Sequence, residues 1–185
     1  MDTNALRSVF PKTLELLEEK RIAYLREQFG KTLKDDLMIT LTVDTSRWFP
    51  VFLKFQGVRS DVLEVAEFEY LRHTVKTVNM GKTKADPEEI KINPSIQFIE
   101  LHHDQPKLSR TTGLYCFFKM GEAFCEFKLG ISEALILDLL HQERKYNFAQ
   151  LALAAIEHKQ GMARPLGEWE NTISDMLRIG ILTGV

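Results

Sequence analysis

GLYCFFKMGEAFCEFKLG, residues Gly113 to Gly130, sets two aromatic-rich runs on either side of Gly121-Glu122. A glycine-first pair suits a two-residue II′ turn, so the stretch reads as a β-hairpin. With Met120 facing Ala123, one face holds Cys116, Phe118, Met120, Ala123, Cys125, Phe127 and Leu129. The opposite face holds Tyr115, Phe117, Lys119, Phe124, Glu126 and Lys128. The first set is almost wholly apolar and marks the core side, because strand residues alternate between faces.

Working outward, SIQFIELHH (Ser95–His103) alternates Ile96, Phe98 and Glu100 against Gln97, Ile99 and Leu101, and reads as a third strand before the hairpin. Three helices follow it. SEALILDLLHQE has Ser132 as N-cap, with Ile131 placed to staple onto Ile136. NFAQLALAAIEHKQG is capped by Asn147 and closed by Gly161, and GEWENTISDMLRIG runs through Trp169, Ile173, Met176 and Leu177 to Gly180. The short apolar run ILTGV ends the chain. Three strands followed by three helices give the expected fold class: α+β, with a winged helix-turn-helix behind a helical N-terminal half.

In that first half, FPKTLELLEEKRIAYLREQFG places Leu14, Leu17, Arg21, Leu25 and Phe29 at helical spacing, with Gly30 as the stop. SDVLEVAEFEYLRHTV is a second amphipathic helix, capped by Ser60, with Leu63, Ala66 (or Glu67), Tyr70 and Leu71 near one face. A further helix is expected around Trp48 to Gln56, its Pro50 tolerated in the first turn. Residues 35–46 fit a strand or a helix. NMGKTKADPEEIKINPS, with Gly81, Pro87 and Pro94, reads as a long connection. It divides a helical region, residues 1–90, from a winged-helix region, residues 91–185.

The 185-residue chain has a formal net charge of −2 and 44% hydrophobic residues. Neither value attracts nucleic acid or anionic membranes in general. The N-terminus lacks the apolar run of a signal peptide, and no stretch reads as a membrane span. Two cysteines without CxxC spacing indicate a reducing compartment, and a cytoplasmic protein is expected.

Cys116 and Cys125 fall diagonally near each other on the core face, where small buried thiols are the ordinary outcome. His102 and His103 invite a metal reading, but adjacent strand residues point to opposite faces unless the chain kinks. Phosphate-binding glycine loops, HExxH and GxSxG are absent from the sequence. The last helix, where a DNA reader would lie, offers Glu168, Glu170 and Asp175 against Arg178, which is the wrong sign for phosphates.

Tyr115, Phe117 and Phe124, rimmed by Lys119, Glu126 and Lys128, are either covered by other elements or a surface for a partner. The strand Ala123 to Leu129 is an edge in a three-strand meander, so an extended peptide could add to it.

The strand AFCEFKLG, the helix ISEALILDLLHQ and the closing ISDMLRIGILTGV resemble PqqD-like precursor-peptide recognition domains. FPVFLKFQG and AEFEYLRHTV are similar to segments of helical partner proteins of TIM-barrel multinuclear iron oxidases. Together they resemble the small subunits of methanobactin-forming oxidases. The resemblance implies a non-catalytic subunit in an iron-dependent oxidoreductase heterodimer. It implies leader-peptide binding on the third strand (Phe124, Cys125, Glu126, Phe127, Lys128) and third helix (Trp169, Ile173, Arg178). A partner interface at Trp48, Tyr115 and Phe117 is expected. So are iron in the partner, no cofactor or metal in this chain, and no contact with nucleic acid or membrane. A transcriptional regulator or a chaperone-like adaptor is the alternative class.

Overall fold

A computed structural model describes residues 3–17, 19–35, 45–77, 89–142, 145–158 and 164–184. The fold is α+β: a helical N-terminal part, then a three-stranded antiparallel sheet and three helices, the winged-helix order. Eight α-helices occur among the described residues. The chain forms two compact units and passes between them more than once: residues 1–74 with 99–113, and residues 75–98 with 114–185.

The first unit contains α1 (Thr3–Val9), α2 (Pro11–Leu16), α3 (Glu19–Asp35), α4 (Trp48–Phe55) and most of α5 (Ser60–Thr77). Phe10, Phe29, Phe49 and Phe52 form its aromatic centre, with ring centroids 4.8–5.2 Å apart. Leu6, Leu14, Leu25, Leu33 and Leu53 complete the core around them.

The single rod expected from Leu14 to Phe29 is two helices, because Leu17 takes an extended conformation (φ −88°, ψ 140°). Arg21 sits on the apolar stripe of a continuous rod, and the break leaves it exposed while Leu14 and Leu17 stay buried. Gly30 is not the stop: α3 runs on to Asp35. A helical glycine costs about 1 kcal/mol. Burying Leu33, one turn beyond Phe29, returns roughly 1.5–3 kcal/mol and decides the matter.

Two acids on α5 are buried where the apolar pattern alone would place hydrophobes. Glu69 accepts hydrogen bonds from Lys12 N (2.7 Å), Thr13 N (2.9 Å) and Thr13 Oγ1 (2.7 Å). It thereby caps the open N–H groups at the start of α2, where a negative charge meets the positive helix end. Val62, Val65, Ala66 and Phe68 are buried with it, a wider face than the expected one, whose Leu63, Tyr70 and Leu71 are half-buried.

The second unit is built on β3 (Gly113–Met120) and β4 (Ala123–Leu129); the sheet order is β2-β3-β4, and only the first two residues of β2 (Gln97–Leu101) belong to this unit. Register pairs Met120 with Ala123, Phe118 with Cys125 and Cys116 with Phe127, so the expected faces are the observed ones. Gly121 has φ +61°, as the first position of the turn requires. Cys116, Phe118 and Leu129 pack with Ile136, Leu151, Trp169 and Ile173 of α6 (Ile131–His141), α7 (Phe148–Glu157) and α8 (Leu166–Ile179).

Helix starts follow local chemistry, with two differences. The first is that α5 begins at Ser60 itself, so the expected cap lies inside the helix and Arg59 precedes it. Asn147 and Gln150 form a reciprocal capping box on α7. Before α6, Gly130 takes the N-cap and Ser132 lies inside the first turn, buried. Ile131 is 75% exposed, so the expected staple to Ile136 does not form. Glu133 folds back over Gly130, its Oε2 only 2.7 Å from where a Cβ would be, and no other residue fits that cap without displacing it. α7 ends at Glu157 rather than running to Gly161, which lies outside the described residues.

Residues 36–44 of the ambiguous segment and residues 79–88 of the long connection also lie outside the described residues. The end of that connection is not loop. Lys91–Ile92 forms β1, paired antiparallel with β5 (Leu182–Thr183) in the closing apolar run.

Candidate peptide-binding edge

β4 has a strand neighbour on one side only among the described residues. Which of its backbone groups face outward depends on the parity of the hairpin. The Lys119 N–H donates to Ser95 Oγ (2.8 Å), and the Lys119 carbonyl accepts from Asn93 Nδ2 (2.9 Å). Both Lys119 groups therefore point away from β4, and Lys119–Phe124 is a non-hydrogen-bonded pair. By alternation, Phe124, Glu126 and Lys128 direct N–H and C=O outward, while Cys125 and Phe127 direct theirs to β3.

The anchor of this geometry is Asn93, buried at the end of β1. Its Nδ2 donates to Lys119 O and to Gly180 O (2.8 Å). Its Oδ1 accepts from Ser95 N (2.9 Å) and Ser95 Oγ (2.7 Å). Every polar atom of the side chain is used.

Around the edge, the Phe124 ring stacks on Phe117 (6.1 Å, 18°), and Lys76 Nζ lies 5.0 Å from the Phe124 centroid. Lys128 Nζ lies 5.8 Å from the Tyr115 ring. Tyr115 and Phe117 are 4% and 0% exposed. Both of those rings are therefore covered, while Phe124 is half-buried and Lys128 exposed. Trp48, in the other unit, is half-buried on α4.

On α8, Trp169 and Ile173 are buried in the second core, and the exposed Arg178 pairs with Asp175 (2.9 Å). Helix α6 packs against β4. Strand residues Phe124 to Lys128 lie together on one edge, whereas Trp169 and Ile173 serve that region through the core. Cys116 is buried and Cys125 half-buried, both as free thiols. Burial first of all pushes the Cys116 thiol up to about 12, so it stays protonated and inert at neutral pH.

The histidine pair behaves differently from two strand neighbours. The chain bends at residues 102–103, and both rings turn to Glu64 of α5. His103 Nδ1 lies 2.9 Å and His102 Nδ1 3.5 Å from Glu64 Oε1. Backbone N–H groups of both histidines (3.1 Å each) and Gln105 Nε2 (3.2 Å) also donate to Glu64. Burial pushes the Glu64 carboxyl up, but these hydrogen bonds, led by the His103 ring, outweigh it and hold it below the ordinary 4.5. An ionised Glu64 only accepts, so Nδ1 of His103 carries the proton. Glu64 closes the loop after β2 as a local cap. Among the described residues, no group of three or more His, Cys, Asp or Glu is placed to hold a metal.

Sequence reasoning missed Asn93, Ser95, Glu64 and Glu69. The Asn-Pro pair at 93–94 carried a turn signal, and acids at 64 and 69 interrupting an apolar face carried a weaker one. No helix among the described residues is long and apolar enough to cross a membrane. No protein-family model matches the chain, and no curated protein matches it in sequence.

Proposed function

We propose that this chain is a non-catalytic partner subunit that binds the leader of a precursor peptide as an added strand on β4. It presents the peptide to an iron-dependent oxidase, which installs oxazolone and thioamide groups at cysteine in methanobactin-type maturation in the cytoplasm. The observation that carries the binding step is the outward row of backbone groups at Phe124, Glu126 and Lys128 on a strand bordered on one side. Such an edge recognises an extended peptide through main-chain pairing, and neighbouring side chains add selectivity.

The iron and the oxidase rest on the resemblance of AFCEFKLG, ISEALILDLLHQ and FPVFLKFQG to that family. The acidic α8, whose Arg178 is paired with Asp175, favours a peptide ligand over DNA. The test is co-expression with a candidate TIM-barrel oxidase, followed by co-purification and iron analysis of each component. A stable pair with iron in the oxidase, and tighter leader binding by the pair or by this chain than by the oxidase alone, is the expected result. Leader binding by the oxidase alone, undiminished without this chain, would overturn the reading.

A further inference from the structure

We infer that the cavity among α1, α2 and α3 is a binding site for a small organic carboxylate with an apolar body. The cavity has a volume of about 620 Å³. That lies within the range of about 300–1,000 Å³ usual for small-molecule sites. Leu14, Leu17 and Ile22 supply an apolar wall, and Arg7, Arg26 and Glu15 supply the charge.

The arginines make the site more than a crevice. Arg26 Nε is shut off from solvent and has no hydrogen-bond partner among the described residues. A guanidinium cannot shed its charge at any ordinary pH, so a buried N–H of this kind calls for an acceptor. Arg7, which reaches the same cavity from α1, forms no ion pair among the described residues. Glu15 does not supply the missing acceptor, because Lys12 holds it at 2.9 and 3.2 Å and Lys107 stands 3.9 Å away. The hydrogen bond from Lys12 keeps its carboxyl below the ordinary range, so Glu15 remains an anion already matched by lysines.

Two guanidinium groups beside a hydrocarbon wall select a ligand with both characters. A carboxylate takes the paired N–H groups of arginine in a fork. An alkyl or aryl body covers Leu14, Leu17 and Ile22. Inorganic phosphate uses only the charge, and an alcohol of the same chain length uses only the wall. This inference is independent of peptide binding at β4.

The test uses the full chain, titrated by calorimetry with octanoate, 1-octanol and inorganic phosphate. Octanoate should bind one per chain, at least about tenfold more tightly than either control. Arg26→Gln and Arg7→Gln should each weaken octanoate by about tenfold and leave octanol unchanged. Arg7 is exposed, so its variant decides the matter if Arg26→Gln fails to fold. Equal affinity for octanoate and octanol, unchanged octanoate binding in the folded variants, or no octanoate binding at millimolar concentration overturns the site.

Discussion

The amide of Lys119 donates to Ser95 Oγ at 2.8 Å, and this one bond fixes which way β4 faces. It turns Lys119 away from Phe124, its register partner, so the alternation down the hairpin is settled. Glu126 N–H points outward and Phe127 N–H points to β3.

Two neighbouring prolines should therefore behave oppositely. Glu126→Pro leaves the hydrogen bonds to β3 intact and removes an outward donor, so the variant should lose leader binding. Phe127→Pro leaves a β3 carbonyl without its donor and should cost about 1–3 kcal/mol of stability. Urea denaturation and fluorescence anisotropy with a labelled leader measure the two effects. A folded Glu126→Pro that binds like wild type would sink strand addition at this edge.

Asn93 should be among the most sensitive polar positions of its unit. Asn93→Ala strips the acceptor of Ser95 and the donors of Lys119 O and Gly180 O, with an expected loss on the order of 3 kcal/mol. Asn93→Asp keeps the acceptor but turns a carboxylate towards two carbonyls, and should destabilise at least as much at neutral pH. Denaturation midpoints compared at pH 4 and pH 7 check this, since acidification should restore part of the Asp variant's loss.

Gly180 closes α8 at φ +85°, and a Cβ there would lie 3.2 Å from Met120 Cγ and Sδ. Gly180→Ala should cost about 1–2 kcal/mol for the left-handed conformation alone. The Met120 contact adds a part that shortening Met120 relieves. In a double-mutant cycle, Met120→Ala should make Gly180→Ala milder. Strict additivity would show that the backbone conformation is the whole cost.

Glu64 and Glu69 should leave opposite marks on the pH profile. The Glu64 carboxyl is depressed, so its stabilisation is present above 4.5 and is lost as pH falls through its folded value. Glu69 is raised, chiefly by burial and only partly offset by its hydrogen bonds with Lys12 and Thr13. The folded state then holds the Glu69 proton more tightly, so this contribution is fullest below 4.5 and declines as pH rises through the folded value. Glu64→Gln should reduce acid sensitivity, and Glu69→Gln should reduce the loss on raising pH above 4.5. Thermal midpoints from pH 3.5 to 8 test both signs.

The hairpin register, the Asn147 cap and the Gly180 stop were readable from the sequence, because each depends on residues within a few positions of one another. The edge at Phe124 to Lys128 came with the hairpin, so the core of the candidate site was legible too. What the sequence left open was cover: Tyr115 and Phe117 could equally have been surface, and only the folded chain buries them. The break at Leu17 and the run through Gly30 followed from which leucines found a core, against what local signals favoured. Glu69 caps a helix 56 residues upstream, and Asn93 bonds a carbonyl 87 residues downstream. A buried polar group must find partners somewhere, and the sequence states that need without naming the partner. Tertiary packing supplies the name, because burial energy distributed over many side chains decides which distant backbone arrives beside it.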